Sequence, residues 1–149
     1  MPHITATFRP ARPAGFAAIG TFFYFGALMG TYAAITLLFP GTMLDRGWVL
    51  NPAAHAQLLS LGRVIGVPFL ILAFALFMAG IGWFRRRRWG WTLGVFIIAV
   101  NLIGDLVNMF RGQPAKGAVG VAVAGLLLMY LMRQEVRQYF EPDVTRAVP

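Results

Sequence analysis

Apolar positions along this chain gather into four long runs with short polar punctuation between them. The first extends from Phe16 to Phe39 and is stopped by Pro40-Gly41. The second covers about 58–84, the third 89–110 and the fourth about 115–132. Roughly 20 helical residues cross the roughly 30 Å hydrocarbon core of a bilayer, so each run predicts a transmembrane helix. The predicted fold class is all-α: a single membrane domain over residues 1–149, built as a four-transmembrane-helix bundle. Arg9 and Arg12 precede the first run as they would precede a signal peptide. A signal core holds only about 7–15 apolar residues, whereas this run continues through Tyr32 to Phe39, so an uncleaved anchor is expected. No repeat relates the two hairpins.

Composition narrows the class. The chain is 58% hydrophobic and 12% charged, half the roughly 25% charge of soluble domains, which leaves too little polar surface for a water-soluble fold. The net charge of +8 does not point to nucleic acid, because the basic residues punctuate apolar runs instead of forming a stripe. The lipid bilayer, with its anionic headgroups, is the expected partner. Cysteine is absent, which excludes disulfides, thiolate metal sites and cysteine nucleophiles.

Orientation follows from Lys and Arg in short connections. Arg85, Arg86, Arg87 and Arg88 fill the link between the second and third runs and place it in the cytoplasm, as a topology determinant in contact with lipid headgroups. Arg9, Arg12, Arg133, Arg137 and Arg146 then put both tails on the same side. The opposite loops hold Arg46, with Arg63, Arg111 and Lys116 near the run ends. The expectation is an N-in, C-in multi-pass protein of a bacterial inner membrane. Trp83, Trp89 and Trp91 at the cytoplasmic ends, with Trp48 in the first outer loop, read as an aromatic belt.

Local signals refine the elements. Asn51-Pro52 predicts a helix start, Asn as N-cap and Pro at the first helical position. A continuous helix from Pro52 to Phe84 would be about 50 Å long, kinked at Pro68, with His55 and Gln57 on its protruding turns. Gly26 and Gly30, Gly62 and Gly66, and Ala118 and Ala122 have the spacing that lets helices approach closely, read here as packing within one chain. Beyond the fourth run, Met132, Val136, Tyr139 and Phe140 keep helical spacing among Arg133, Glu135 and Arg137. This predicts an amphipathic extension, 133–141, lying in the interface and ended by Pro142.

The candidate site is a polar cluster around Asp105. A carboxylate within an apolar run costs roughly 2.5–3.5 kcal/mol at a helix centre and normally faces the bundle interior, pairs, or lines a pathway. Asn101, Asp105 and Asn108 fall on one helical face. Asp105 lies five residues inside Phe110, about 8 Å deep. Arg63, at the outer start of the second run, is the expected partner, with Tyr32 and Thr36 at similar depth and Lys116 a second cation at the rim. Such a cluster serves as interhelical glue, or as a site for a small polar ligand, an ion or a quinone headgroup, or as a proton relay. Catalysis is the weakest reading, since the apolar runs hold one acid and no His, Cys or Lys base. His3 and His55 fall on opposite sides and cannot share a haem, which leaves His55 alone as a single-ligand candidate. No metal or cofactor is expected beyond lipid contacts.

Arg85–Arg88, Trp89-Gly90-Trp91, Asn101-x-x-Gly104-Asp105-x-x-Asn108, the segment Gly117–Tyr130 and Tyr139-Phe140 resemble a group of small, uncharacterised bacterial four-helix membrane proteins. The resemblance covers about the C-terminal 65 residues and implies a topology and no activity. A looser similarity, to the DoxX-like four-helix proteins, rests on the number of runs and on Arg63 near the start of a Gly-rich helix, and no redox function is carried over from it. Together these readings lead to a small structural or accessory membrane subunit, partnered by other membrane subunits or by itself. The alternative is a membrane protein that binds or transports a small molecule, a quinone or an ion through the Asp105 cluster.

Overall fold

The computed structural model describes residues 12–110 and 114–141, except for the side chain of Lys116. The expectations for His3, Arg9, Arg111, Lys116 and Arg146 lie outside the described residues. Every regular element among the described residues is helical: α1 (Phe16–Leu38), a 3-10 segment (Met43–Leu50), α2 (Pro52–Ser60), a 3-10 turn (Arg63–Ile65), α3 (Gly66–Phe84), α4 (Arg88–Phe110), α5 (Pro114–Leu131) and α6 (Gln134–Tyr139).

Three stretches, Phe16–Leu38, Arg63–Phe84 and Arg88–Phe110, are long and apolar enough to cross a membrane. The apolar part of α5, Gly117–Leu131, is shorter, about 22 Å at 1.5 Å per residue. The surface carries the same signature. Leu28, Phe74, Phe96 and Leu126 are each 65–67% exposed, on α1, α3, α4 and α5. Apolar patches of this extent mark contact with something other than water, and hydrocarbon fits a chain with three helices of spanning length.

The second predicted helix is broken in two. Asn51 caps α2, its Oδ1 accepting from the Ala54 N–H at 3.3 Å, with Pro52 at the first turn. The helix then stops at Leu61, and Gly62 turns the chain with φ +85°, a conformation that a β-carbon disfavours. A continuous helix from 52 to 84 therefore does not form. Pro68 becomes the third residue of α3, where the backbone N–H has no intrahelical acceptor to lose, and it sits in the first turn instead of kinking a long helix.

Helix pairing is set by small residues. A β-carbon at Gly30 would meet Ala73 at 3.2 Å, and one at Gly26 would meet Leu76 at 3.2 Å, so the Gly26/Gly30 stripe brings α1 against α3 within the chain. The α3–α4 link is tighter still. A β-carbon at Gly90 would lie 2.4 Å from the Gly82 backbone. The turn between these glycines closes with Arg87 N–H to Gly82 O at 2.8 Å and Arg86 N–H to Trp83 O at 3.0 Å, with Arg86 itself left-handed at φ +53°. These two bonds and the left-handed residue form a Schellman cap, with arginine where glycine is usual.

That turn roofs an aromatic core. Trp83 is fully buried and donates Nε1–H to the Phe16 carbonyl at 2.7 Å. Its ring lies 5.2 Å from Phe16 and 4.7 Å from Phe140. The C-terminal extension supplies much of this core. The chain breaks at Met132-Arg133 and α6 folds back, burying Val136, Tyr139 and Phe140. An interface-lying continuation of the last helix, expected from the spacing, is thus replaced by a cap on the end of the bundle. Trp91, half-buried, donates to Leu131 O at 3.0 Å. Trp89 alone of the three tryptophans at this end keeps an exposed ring. Burial of α4 follows suit: Gly90, Gly94, Ile97 and Ile98 are buried, and none of its residues beyond Ile98 is.

Candidate functional site around Asp105

Ile97 and Ile98 mark the face of α4 that turns inward. One turn further along, the same face carries Asn101, which is exposed, and then Asp105. Asp105 is half-buried, and its carboxylate rests on α5 at Gly120, where a β-carbon would stand 2.3 Å from the carboxyl carbon. One turn away, a β-carbon at Gly117 would lie 2.7 Å from the Asp105 carbonyl oxygen and from the Met109 nitrogen. Gly117, Gly120 and Ala124 follow i, i+3, i+7 spacing, and together they let α5 meet α4 backbone to backbone. The small-residue spacing expected to serve α5, Ala118 with Ala122, points outward instead, both being exposed.

A cavity of about 180 Å³ opens beside the carboxylate, lined by Phe22, Ile98, Asn101, Asp105, Gly120, Val123, Ala124 and Leu127. Apart from the Asn101 amide and the Asp105 carboxylate, its walls are apolar. Neither side chain forms a hydrogen bond or an ion pair with any other described residue.

The other members of the predicted cluster stand elsewhere. The expected Arg63–Asp105 pair is not formed; among the described residues the one ion pair is Arg137–Glu141 at 3.4 Å, near the C-terminus. Arg63 is exposed on the 3-10 turn that packs against α1 and α3, whereas the Asp105 carboxylate faces α5. Asn108 is exposed. Tyr32 and Thr36 serve the loop that follows α1. The Tyr32 hydroxyl donates to the Leu44 carbonyl, and the fully buried Thr36 hydroxyl accepts the Trp48 indole N–H at 2.9 Å. Trp48 in turn stacks on His55, ring centroids 4.9 Å apart and planes 6° from parallel. The sequence pattern thus merges two groups: Asn101 and Asp105 against α5, and Tyr32, Thr36, Trp48 and His55 holding the 43–50 segment over the C-terminal end of α1. Depth counted along a helix placed them together, and rotation about each helix axis separates them.

His55 is not accompanied by further ligands: no group of three or more His, Cys, Asp or Glu side chains lies close enough to hold a metal among the described residues. Arg85, Arg87 and Arg88 are exposed at the opposite end, and Arg86 lies over the Tyr139 ring, 3.8 Å from its centroid. Glycines 117 and 120 are the residues the sequence reading missed. Their signal was present as a Gly-x-x-Gly step continued by Ala124, but Ala118, Ala122 and Gly125 mark a second face of small side chains, and spacing alone does not choose between the two. Comparison with protein families, curated proteins and solved structures returns no match to this chain.

Proposed function

We propose that this chain is a small four-helix integral membrane protein of a bacterial inner membrane, both termini cytoplasmic, acting as a structural or accessory subunit whose Asp105 cluster organises the bundle. The supporting observation is the seat of Asp105. Its carboxylate fills the notch left by Gly120, in a cavity of about 180 Å³, smaller than the roughly 300–1,000 Å³ of small-molecule sites. A polar group held this closely against a neighbouring helix sets register through its fit to the glycine face, where small residues let two membrane helices pack closely. The α5 helix, with Pro114 at its start, acts as the fourth span, and the arginines 85–88 set orientation.

A second reading, in which the cavity binds a small polar ligand or an ion, is favoured by one feature: Asn101 and Asp105 line the same cavity, a donor and an acceptor side by side. Native purification in mild detergent followed by mass spectrometry separates the two. Co-purifying subunits, with an Asp105→Asn variant that still assembles, are the expected result. A bound small molecule that is lost in Asp105→Asn selects the second reading. Orientation is read independently, because the chain has no native cysteine. Gln57→Cys on α2 should react with a membrane-impermeant maleimide from outside, and Gln138→Cys on α6 only after permeabilisation. The reverse pattern overturns the N-in, C-in assignment.

A further inference from the structure

Below the arginine turn, the α4 surface carries an apolar groove that runs on into the cleft between α3 and α4. Its upper part, about 530 Å³, is lined by Trp89, Thr92, Leu93 and Phe96. Its lower part, about 380 Å³, shares Leu93 and Phe96 and continues along Leu72 and Val100 to Pro68 and Asn101. Apart from the Asn101 amide at its foot the walls are apolar, even at Thr92, whose hydroxyl donates to the Arg88 carbonyl at 3.1 Å. From Trp89 to Asn101 the groove runs about 18 Å along α4, slightly more than one leaflet's share of a roughly 30 Å hydrocarbon core.

Charge stands at the head of this groove and little at its foot. Arg88 begins the same helical stripe as Thr92 and Phe96, at i, i+4 and i+8, and Arg85 lies across the turn at the end of α3. Both are exposed, as are Arg12, Arg87 and Arg133 at the same end. Arg86 lies over Tyr139, Arg12 over Phe16, and Arg137 pairs with Glu141; of the remaining exposed arginines, Arg88 shares the helical stripe of the groove and Arg85 ends the neighbouring α3, which places these two to take an external anion. Arginine presents a fork of donors matched to phosphate oxygens, and Trp89, 47% exposed, is the residue type that settles at the headgroup level.

We propose that this groove is a binding site for one anionic glycerophospholipid, its phosphate on Arg85 and Arg88 and one acyl chain lying along Trp89, Leu93, Phe96 and Val100. The assignment rests on the helices being membrane-embedded, and is independent of what the Asp105 cluster does and of which side the arginines face. The neutral phospholipid of the same chains fits the groove and lacks the net charge, so the site discriminates by headgroup. A free phosphate fits the arginines and lacks the chain, so the site also discriminates by the groove.

Delipidated protein in mild detergent is titrated with dioleoyl phosphatidylglycerol or dioleoyl phosphatidylcholine, and the bound fraction is read by native mass spectrometry. Phosphatidylglycerol should bind with clear preference. Arg85→Gln with Arg88→Gln should reduce that preference roughly 30-fold, from about fivefold per arginine near a membrane surface. Phe96→Ser should weaken both lipids together, leaving the preference intact. Glycerol phosphate should fail to compete at lipid-equivalent concentration. All three substitutions fall on exposed positions, and an unchanged circular dichroism spectrum checks that each variant is folded. Equal binding of the two lipids, a preference untouched by the double arginine change, or full competition by glycerol phosphate or by polyglutamate overturns the site. Failure here with normal Gln57→Cys and Gln138→Cys labelling removes the lipid site alone. Inverted labelling leaves the lipid result standing.

Discussion

Adding one methyl group at Gly120 tests how α4 and α5 are held together. In Gly120→Ala the new β-carbon would stand 2.3 Å from the Asp105 carboxyl carbon, where ordinary contact begins at 3.4 Å. Either the helices part by about 1.1 Å at this level or the carboxylate must leave its seat. Overpacking of this kind costs about 1–3 kcal/mol, against an intrinsic helical gain of up to about 1 kcal/mol for Ala over Gly. Gly125→Ala isolates the second quantity, because nothing lies within 4 Å of its β-carbon. Reversible unfolding in mixed micelles, followed by circular dichroism, should therefore rank Gly125→Ala at or above the wild type and Gly120→Ala about 2 kcal/mol below Gly125→Ala. The source of that deficit is tested by a double-mutant cycle. Asp105→Ala removes the carboxylate and should recover at least about 1 kcal/mol of the Gly120→Ala penalty. The Gly117→Ala penalty arises against the Asp105 carbonyl and the Met109 nitrogen, so side-chain truncation should not relieve it and the pair should be additive within about 0.5 kcal/mol. Additivity at Gly120, or equal rescue at Gly117, would refute the seat assigned to Asp105.

Other perturbations probe the two ends of the bundle. Gly90→Ala meets Gly82 backbone at 2.4 Å and should destabilise more than Gly120→Ala, with no single side-chain truncation restoring it in the same unfolding assay. At Arg86 the left-handed backbone costs about 1–2 kcal/mol and the contact with Tyr139 returns about 0.5–1 kcal/mol; thermal midpoints should therefore run Gly above Arg above Ala. Thr36→Val removes the acceptor of the Trp48 indole, which should cost about 1 kcal/mol and shift Trp48 emission to the red in a variant carrying Phe at the other three tryptophans.

Much of the architecture was legible because it depends on run length and composition. Helix ends at Phe84 and Phe110 and the Asn51 cap follow from local signals, whereas the fourth run, read to about 132 and on into the extension, stops at Leu131. Gly62 was read as a packing residue because nothing local distinguishes a glycine that turns the chain from one that packs a helix. Its φ of +85° decides the matter, and with it the positions of Pro68 and Arg63. The site was legible in part. Periodicity put Asn101 and Asp105 on one face, yet periodicity carries no information about which neighbour that face meets. A carboxylate five residues inside a helix end has the same depth whether it turns toward Arg63 or toward Gly120. The short extension was misplaced for a related reason: a stripe of Val136, Tyr139 and Phe140 is equally amphipathic beside a membrane or beside Trp83. The missing fact is what surface remains uncovered at the end of the bundle, and that exists only once α1, α3 and α4 have met.

The contact of Phe16 with Tyr139 and Phe140, 5.3 and 6.2 Å between rings, also has a meaning in time. Phe16 leaves the ribosome long before Tyr139 and Phe140, which close over it. At roughly 5–20 residues per second, on the order of ten seconds separate the two. Through that interval Phe16 and Trp83 lack the cap that α6 supplies, and the helices already inserted are joined without being sealed. Closure of this end of the bundle therefore waits for α6, and a chain stopped short of Tyr139 would carry Phe16 and Trp83 without their cap, a state open to proteases and to the wrong neighbours.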